Sequence, residues 1–306
     1  MSSRFKSRAV DGFSGVLYIY KDSKMTSHDV VSIVRKIFNT QKVGHAGTLD
    51  PNAIGVLPIC IGKATRISDY LMENPKTYVA EMVFGIKTDT ADKWGKVIEH
   101  KEVDVDFEKI KSVLKGFFGK EIAQVPPMYS ALKYKGKKLY ELARDGITVE
   151  RKSRKVKIYS IKDLYIRKKS LIFECTCSKG TYIRTLIEDI AEKTGNLAYM
   201  SMLIRTSSGG LSIDKSFSLE YLKQMKFDEL SKILVPIDTA LKNLPEIKIS
   251  DGDFERIVNG VKVSVSDCYE DVIYKIYSKG KFIGLGKPCT VNGKRMLKME
   301  KVFFGV

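Results

Sequence analysis

Long apolar runs are missing from this chain. No stretch of its 306 residues approaches the ~20 consecutive apolar residues that cross a bilayer, so no membrane partner is expected. The opening Met-Ser-Ser-Arg-Phe-Lys-Ser-Arg is basic, but no apolar core follows it, and no signal peptide is read there. Histidine is scarce: His28, His45 and His100 are scattered without metal-ligand spacing. The five cysteines (Cys60, Cys175, Cys177, Cys268, Cys289) include no Cys-x-x-Cys pair, so neither a zinc site nor a disulfide framework is expected. An odd number of thiols in strand-like contexts fits a reducing cytoplasm. Acid is also in short supply, since 36 Asp and Glu against 53 Lys and Arg leave a net charge of +17. That excess favours a polyanionic partner, with a solvated Lys-rich surface as the ordinary alternative.

What is present is an ordinary globular composition, 43% hydrophobic and 29% charged, in a chain long enough for one large domain and a small one. Its most distinctive stretch is Lys42 to Arg66, Lys-Val-Gly-His-Ala-Gly-Thr-Leu-Asp-Pro-Asn-Ala-Ile-Gly-Val-Leu-Pro-Ile-Cys-Ile-Gly-Lys-Ala-Thr-Arg. Gly44, Gly47 and Gly55 permit turns and close approaches, and Pro51 pushes Asp50 towards an extended backbone. Asp50 therefore sits on a rigid loop followed by a buried-strand pattern, which suits a nucleophile or an acid-base group. The alternative is an Asp-Pro turn former bonded to its own backbone.

Along the chain, Gly15 to Tyr20 reads as a strand. Thr26 with Asp29 makes a capping box ahead of the stripe Val30, Ile33, Val34, Ile37 and Phe38. A short helix is predicted over 64–72 and a strand over 77–86, the latter carrying Tyr78. A helix from Asp106 has the stripe Ile110, Val113, Leu114, Phe117 and Phe118. After Gln124-Val-Pro-Pro-Met-Tyr-Ser-Ala comes a basic run. Between Ala131 and Lys157 ten Lys or Arg face three Asp or Glu, with Tyr134 and Tyr140 interleaved. This run is either a solvated face or a nucleic-acid contact.

A hairpin over 155–177 places Leu171, Phe173, Cys175 and Cys177 on one face. A helix from Thr181, striped by Ile183, Leu186, Ile187, Ile190 and Ala191, ends at Gly195. Arg184 falls in its first turn, where the macrodipole disfavours a cation, so either its guanidinium has a partner elsewhere or it snorkels to solvent. A strand over 198–206 contains Leu203. Helical stretches near 219–225 and 236–241 precede a break at Leu244-Pro245. The short strand-like runs from Val261 to Phe304 then suggest a small β-barrel.

Gly-His-Ala-Gly-Thr-Leu-Asp-Pro, Gly-Val-Leu-Pro and Gly-Lys-Ala-Thr-Arg closely resemble the signature of the TruB family of bacterial tRNA pseudouridine synthases. Lys76-Thr-Tyr-Val, the proline-tyrosine segment and Cys177-Ser-Lys-Gly-Thr-Tyr-Ile-Arg-Thr-Leu extend the resemblance over most of the chain. It implies an α+β fold, a mixed and largely antiparallel sheet flanked by helices. It also implies a catalytic domain over 1–243 with a thumb insertion at about 124–152, and a PUA-like domain over 244–306. The implied activity is isomerisation of uridine 55 in the T-arm loop of tRNA by a cytoplasmic monomer, without metal or other cofactor. On that basis Asp50 is the nucleophile, Arg184 the cation that keeps it charged, and Tyr78 the ring that stacks on uracil. Tyr182 and Leu203 are implied for the same pocket, and Lys63 and Lys133 for substrate contact. His45 either fills the space left by a flipped base or is a structural histidine. Two rivals stand beside this reading, a non-catalytic RNA-folding factor and a guide-RNA-directed relative.

Overall fold

The computed structural model describes residues 12–266 and 268–303. The basic N-terminal octapeptide and residue 304, the end of the expected β-region, lie outside the described residues.

Strand β1 (Gly15–Lys21) leads to Thr26, which caps α1 (Ser27–Ile37) reciprocally. Asp29 N donates to Thr26 Oγ1 at 3.0 Å, and Thr26 N donates to the Asp29 carboxylate at 2.8 Å. Strand β2 (Val43–His45) then pairs with β3 (Ile54–Ile61). Because β3 is covered on both faces, its apolar residues run without interruption: Val56 and Cys60 join one core cluster, and Leu57, Ile59 and Ile61 another. The helix predicted over 64–72 divides into a 3-10 turn over 62–67 and α2 (Ser68–Glu73).

Next come β4 (Lys76–Phe84), a small hairpin of β5 (Ile86–Thr88) and β6 (Val97–His100), α3 (Phe107–Phe117) and β7 (Glu121–Gln124). The thumb segment holds a two-residue hairpin, β8 (Lys133–Tyr134) and β9 (Lys137–Lys138), and α4 (Leu139–Arg144). The long hairpin β10 (Arg154–Ile166) and β11 (Ser170–Cys177) precedes α5 (Ile183–Thr194) and β12 (Ala198–Ser208). Strand β13 (Leu211–Ser212), α6 (Leu219–Gln224) and α7 (Ile237–Ala240) complete this part.

The main sheet has the order β1-β3-β12-β4-β11-β10-β7, with β2 on β3 and β13 on β12. Among its strand pairings in the described residues only β12 with β3 is parallel, so the expected mixed, largely antiparallel sheet is what forms. Leu171, Phe173, Cys175 and Cys177 of β11 are all fully buried against α3 and α5. The α3 stripe departs at its end: Phe118 is 60% exposed, because the helix stops at Phe117 and the backbone turns out to ψ 127.

Beyond residue 245 lie β14 (Glu246–Lys248), α8 (Phe254–Val258), β15 (Val263–Ser264), β16 (Tyr274–Ser278), β17 (Lys281–Val291) and β18 (Lys294–Val302). Their order is β14-β16-β17-β18-β15, a half-barrel where the strand pattern suggests a barrel. The two edge strands hold only three and two residues. α8 contributes to the core instead, with Phe254 and Ile257 packed among Val263, Ile276 and Leu297. This sheet does not stand alone, since Leu285 and Phe303 share a core cluster with Ile67, Leu71, Ile237 and Leu241. Arg66 bridges the two parts, donating from Nη1 to Val302 O at 2.8 Å with its guanidinium 4.9 Å from the Phe303 ring centroid.

Candidate active site

The loop carrying Asp50 is tied down on three sides. Ser27, in the first turn of α1, is buried; its Oγ donates to Leu49 O at 3.1 Å and accepts from Leu49 N at 2.9 Å. Ala53 N donates to Asp50 O at 3.1 Å, closing the Asp-Pro turn. From the sheet, Arg205 on β12 reaches under the loop, 1% exposed, donating from Nε to Val56 O at 2.6 Å, Nη1 to Thr48 O at 3.3 Å and Nη2 to Gly47 O at 3.1 Å. That approach requires glycine at 55, where φ is +112° and a Cβ would stand 2.2 Å from Arg205 O. Lys21, at the end of β1, is fully buried, and its Nζ donates to Asp22 O (2.8 Å), Met25 O (2.9 Å) and Pro51 O (3.1 Å). Burial lowers this ammonium to about 8, with Asp50 acting in the opposite direction.

Above the loop, Arg184 Nη2 lies 3.1 Å from Asp50 Oδ2. The guanidinium side chain is 5% exposed and the carboxylate side chain 43%, so the pair is buried on one side and open on the other. Its other partners come from far along the chain: Nη1 donates to Thr90 O (3.2 Å) and lies 3.9 Å from Asp92 Oδ2, and Nη2 donates to Tyr129 O (2.8 Å). Arg184 therefore has the remote partners that its first-turn position calls for, and it does not snorkel to solvent.

Tyr78 lies on β4 between Cys175 of β11 and Arg205 of β12. Burial pushes its phenol up, while the charge of Arg205 and a hydrogen bond with it pull the other way. His45, on β2, has a buried Nδ1 with no hydrogen-bond partner. Burial holds its pKa down, helped by Arg205 and His28, so the ring is neutral at pH 7. Tyr182 caps α5 and is clamped by Gln124, which accepts from Tyr182 N at 3.0 Å and donates to Tyr182 O at 3.3 Å; Arg154 lies 4.7 Å from its ring centroid. Leu203, paired with Ala80, packs on the main core. Lys63, on a 3-10 turn whose Ala64 and Ile67 are buried, and Lys133, on the thumb hairpin, are themselves exposed and outside the buried pair.

Sequence reasoning missed Asp92, Arg205, Lys21 and Gln124. Two of them carried a signal, because Arg205 and Lys21 are cations inside or at the end of apolar strands, a local rule broken without local gain. Asp92 sits in Thr-Asp-Thr-Ala-Asp-Lys-Trp-Gly, which reads as a turn. Among the described residues no group of three or more His, Cys, Asp or Glu could hold a metal ion, and no helix is long and apolar enough to cross a membrane.

Comparison with known proteins gives a consistent result. Residues 35–183 match the model of the TruB family pseudouridylate synthase N-terminal domain, and residues 184–242 that of the tRNA pseudouridylate synthase B C-terminal domain. The tRNA pseudouridine synthase B of Clostridium kluyveri is 45% identical over 294 residues, 94% of this chain and 99% of its own. That of Alkaliphilus oremlandii is 44% identical over 280 residues, 89% and 92% of the two chains. A chain of a solved Cbf5-Nop10-Gar1 complex shares 30% identity at a TM-score of 0.74, covering 95% of this chain and 85% of that one. Fold and site thus define a pseudouridine synthase, an isomerase. The chain belongs to the TruB family.

Proposed function

We propose that the chain isomerises uridine to pseudouridine at position 55 in the T-arm loop of tRNA, with Asp50 as nucleophile. The observation that carries this reading is the 3.1 Å contact between Asp50 and Arg184, at the tip of a loop fixed from below and open above. The reaction breaks the N–C1′ bond of uridine, turns the uracil and rejoins it through C5. Asp50 attacks C6 or C1′, or assists a glycal-like intermediate. Arg184 pairs with the carboxylate and orients it, and Asp92 lies on the far side of the guanidinium. Tyr78 stacks on the uracil. After the uracil turns, the Tyr78 hydroxyl or a water takes the C5 proton. The target is flipped out of the loop at a cost of about a few kcal/mol, and His45 occupies the space it leaves. Tyr182 and Leu203 line the pocket, and Lys63 and Lys133 meet the RNA.

We further propose a catalytic domain over 1–243, with its thumb at about 124–152, and a PUA-type RNA-binding module over 244–306. The second family match, which ends at residue 242, supports that boundary. The enzyme works as a cytoplasmic monomer without metal or cofactor. Near full-length identity of 44–45% to proteins named tRNA pseudouridine synthase B supports a stand-alone enzyme over a guide-directed one. Mapping pseudouridine in tRNA incubated with the purified protein tests the reading: modification confined to uridine 55 is expected, and tRNA left unmodified contradicts it.

A further inference from the structure

The chain has one tryptophan, Trp94, and it is 56% exposed. It stands on the turn between β5 and β6, and that turn is locked. Asp92 Oδ1 accepts from Trp94 N at 3.0 Å and from Thr90 Oγ1 at 2.8 Å, Asp89 Oδ1 accepts from Lys96 N at 2.8 Å, and Thr88 Oγ1 donates to Asp92 O at 2.7 Å. Gly95 is required there, since a Cβ would meet Thr90 Oγ1 at 2.3 Å and Asp89 Oδ1 at 2.4 Å. Two hydrogen bonds tie the turn to β12, from Lys93 N to Met200 O (2.9 Å) and from Met200 N to Ala91 O (3.0 Å). A rigid turn thus displays a large apolar ring whose exposure nothing in the fold requires.

The turn is also part of the site. The carboxylate that accepts from Trp94 N reaches Arg184 through its other oxygen, and Arg184 pairs with Asp50. Lys93 lies over the indole, 5.2 Å from its centroid, and Lys93 and Lys96 are both exposed. An exposed ring with cations beside it, on the turn that carries Asp92, has the composition of a single-strand stacking platform: the ring takes a base face and the ammonium groups take phosphate.

We propose that Trp94 is a stacking subsite for an unpaired nucleobase flanking the target uridine. Base stacking there fixes the RNA against the turn that carries Asp92, so substrate is gripped beside the carboxylate that holds Arg184. The subsite rests on the RNA-modifying reading given above.

Trp94 is its own reporter. The Asp50→Asn protein is titrated with unmodified tRNA, complex formation being followed by filter retention and indole fluorescence together. Fluorescence is expected to be quenched in parallel with retention. In the Asp50→Asn background, Trp94→Ala should raise Kd roughly 5- to 100-fold, the range of one lost base-aromatic stack, and Trp94→Phe should recover most of it. The loss should persist at raised salt, where lost phosphate contacts would fade. In an abasic scan of the T loop, one flanking position should weaken binding to the Trp94 protein and leave the Trp94→Ala protein unaffected, a full coupling between ring and base. A retained complex with unchanged indole fluorescence, or an abasic scan with no coupled position, overturns the subsite and leaves the RNA reading intact. Absence of any retained complex overturns both.

Discussion

Arg184 works against its own helix, since a cation in the first turn opposes the macrodipole by a few tenths of a kcal/mol or more. Asp50, Asp92 and the carbonyls of Thr90 and Tyr129 offset that cost. A planar fork can face Asp50 and Tyr129 O while its other nitrogen serves Thr90 and Asp92; a lysine ammonium cannot. Arg184→Lys should therefore lower the single-turnover rate roughly 10²-fold or more, the scale of losing one preorganised donor, with tRNA affinity nearly unchanged. Near-normal turnover would make the pair structural only. His45 gives a pH prediction. Its pKa is lowered in the fold, so below about 6.5 the unfolded chain takes up the proton first and stability falls as pH falls. His45→Gln should have a flatter Tm between pH 7.5 and 5.5 than the parent, and equal slopes would count against a neutral, half-buried ring. Asp50 and Arg184 were legible in sequence because each breaks or exploits a local rule. Arg205 breaks one too, as a cation inside an apolar strand, but nothing local names what it holds, since its first partner, Val56 O, lies 149 residues away.

Among elements, the β3 and β12 crossing decides whether the Asp50 loop is rigid. Gly55→Ala places a Cβ 2.2 Å from a backbone oxygen at φ +112°, so neither rotamer nor side-chain shift relieves it. A loss of about 3 kcal/mol or more is expected from urea midpoints at unchanged m, and a loss under about 1 kcal/mol would show that the strands can part. The thumb hairpin pairs Lys133 with Lys138 and Tyr134 with Lys137, which sets one pair of like charges directly across the strands. Neutralising Lys133, Lys135, Lys137 and Lys138 should flatten the salt dependence of tRNA binding by about 0.7 in log-log slope per lost phosphate contact, with the rate of bound complex kept. An unchanged slope would mean that other surfaces carry the RNA. The helices and strands with clear 3.6 or 2 periodicity were legible to within a few residues, as α1, β11 and α5 show. The short β5-β6 hairpin, β14 and α8 were not, because three to five residues carry too little periodicity to read.

For the whole molecule, the strand-rich end pointed to a separate barrel, but Leu285 and Phe303 close a core cluster begun by Ile67 and Leu71. Such a join is invisible to periodicity, which reports that a face is buried but not against what. Removing residues after 243 would uncover that cluster, so a drop in Tm of several degrees is expected along with a raised KM; an unchanged Tm would show that the two parts are independent. On the proposed reading, Asp50, held by Arg184, rearranges uridine 55 of tRNA with nothing added. Tritium release from tRNA labelled at C5 of uridine, under single-turnover conditions with purified protein, tests it most directly. Release of one tritium per tRNA is expected, lost when position 55 is cytidine and lost with Asp50→Asn although the tRNA still binds. Release undiminished by Asp50→Asn, or no release from tRNA that is fully bound by the parent protein, would contradict it.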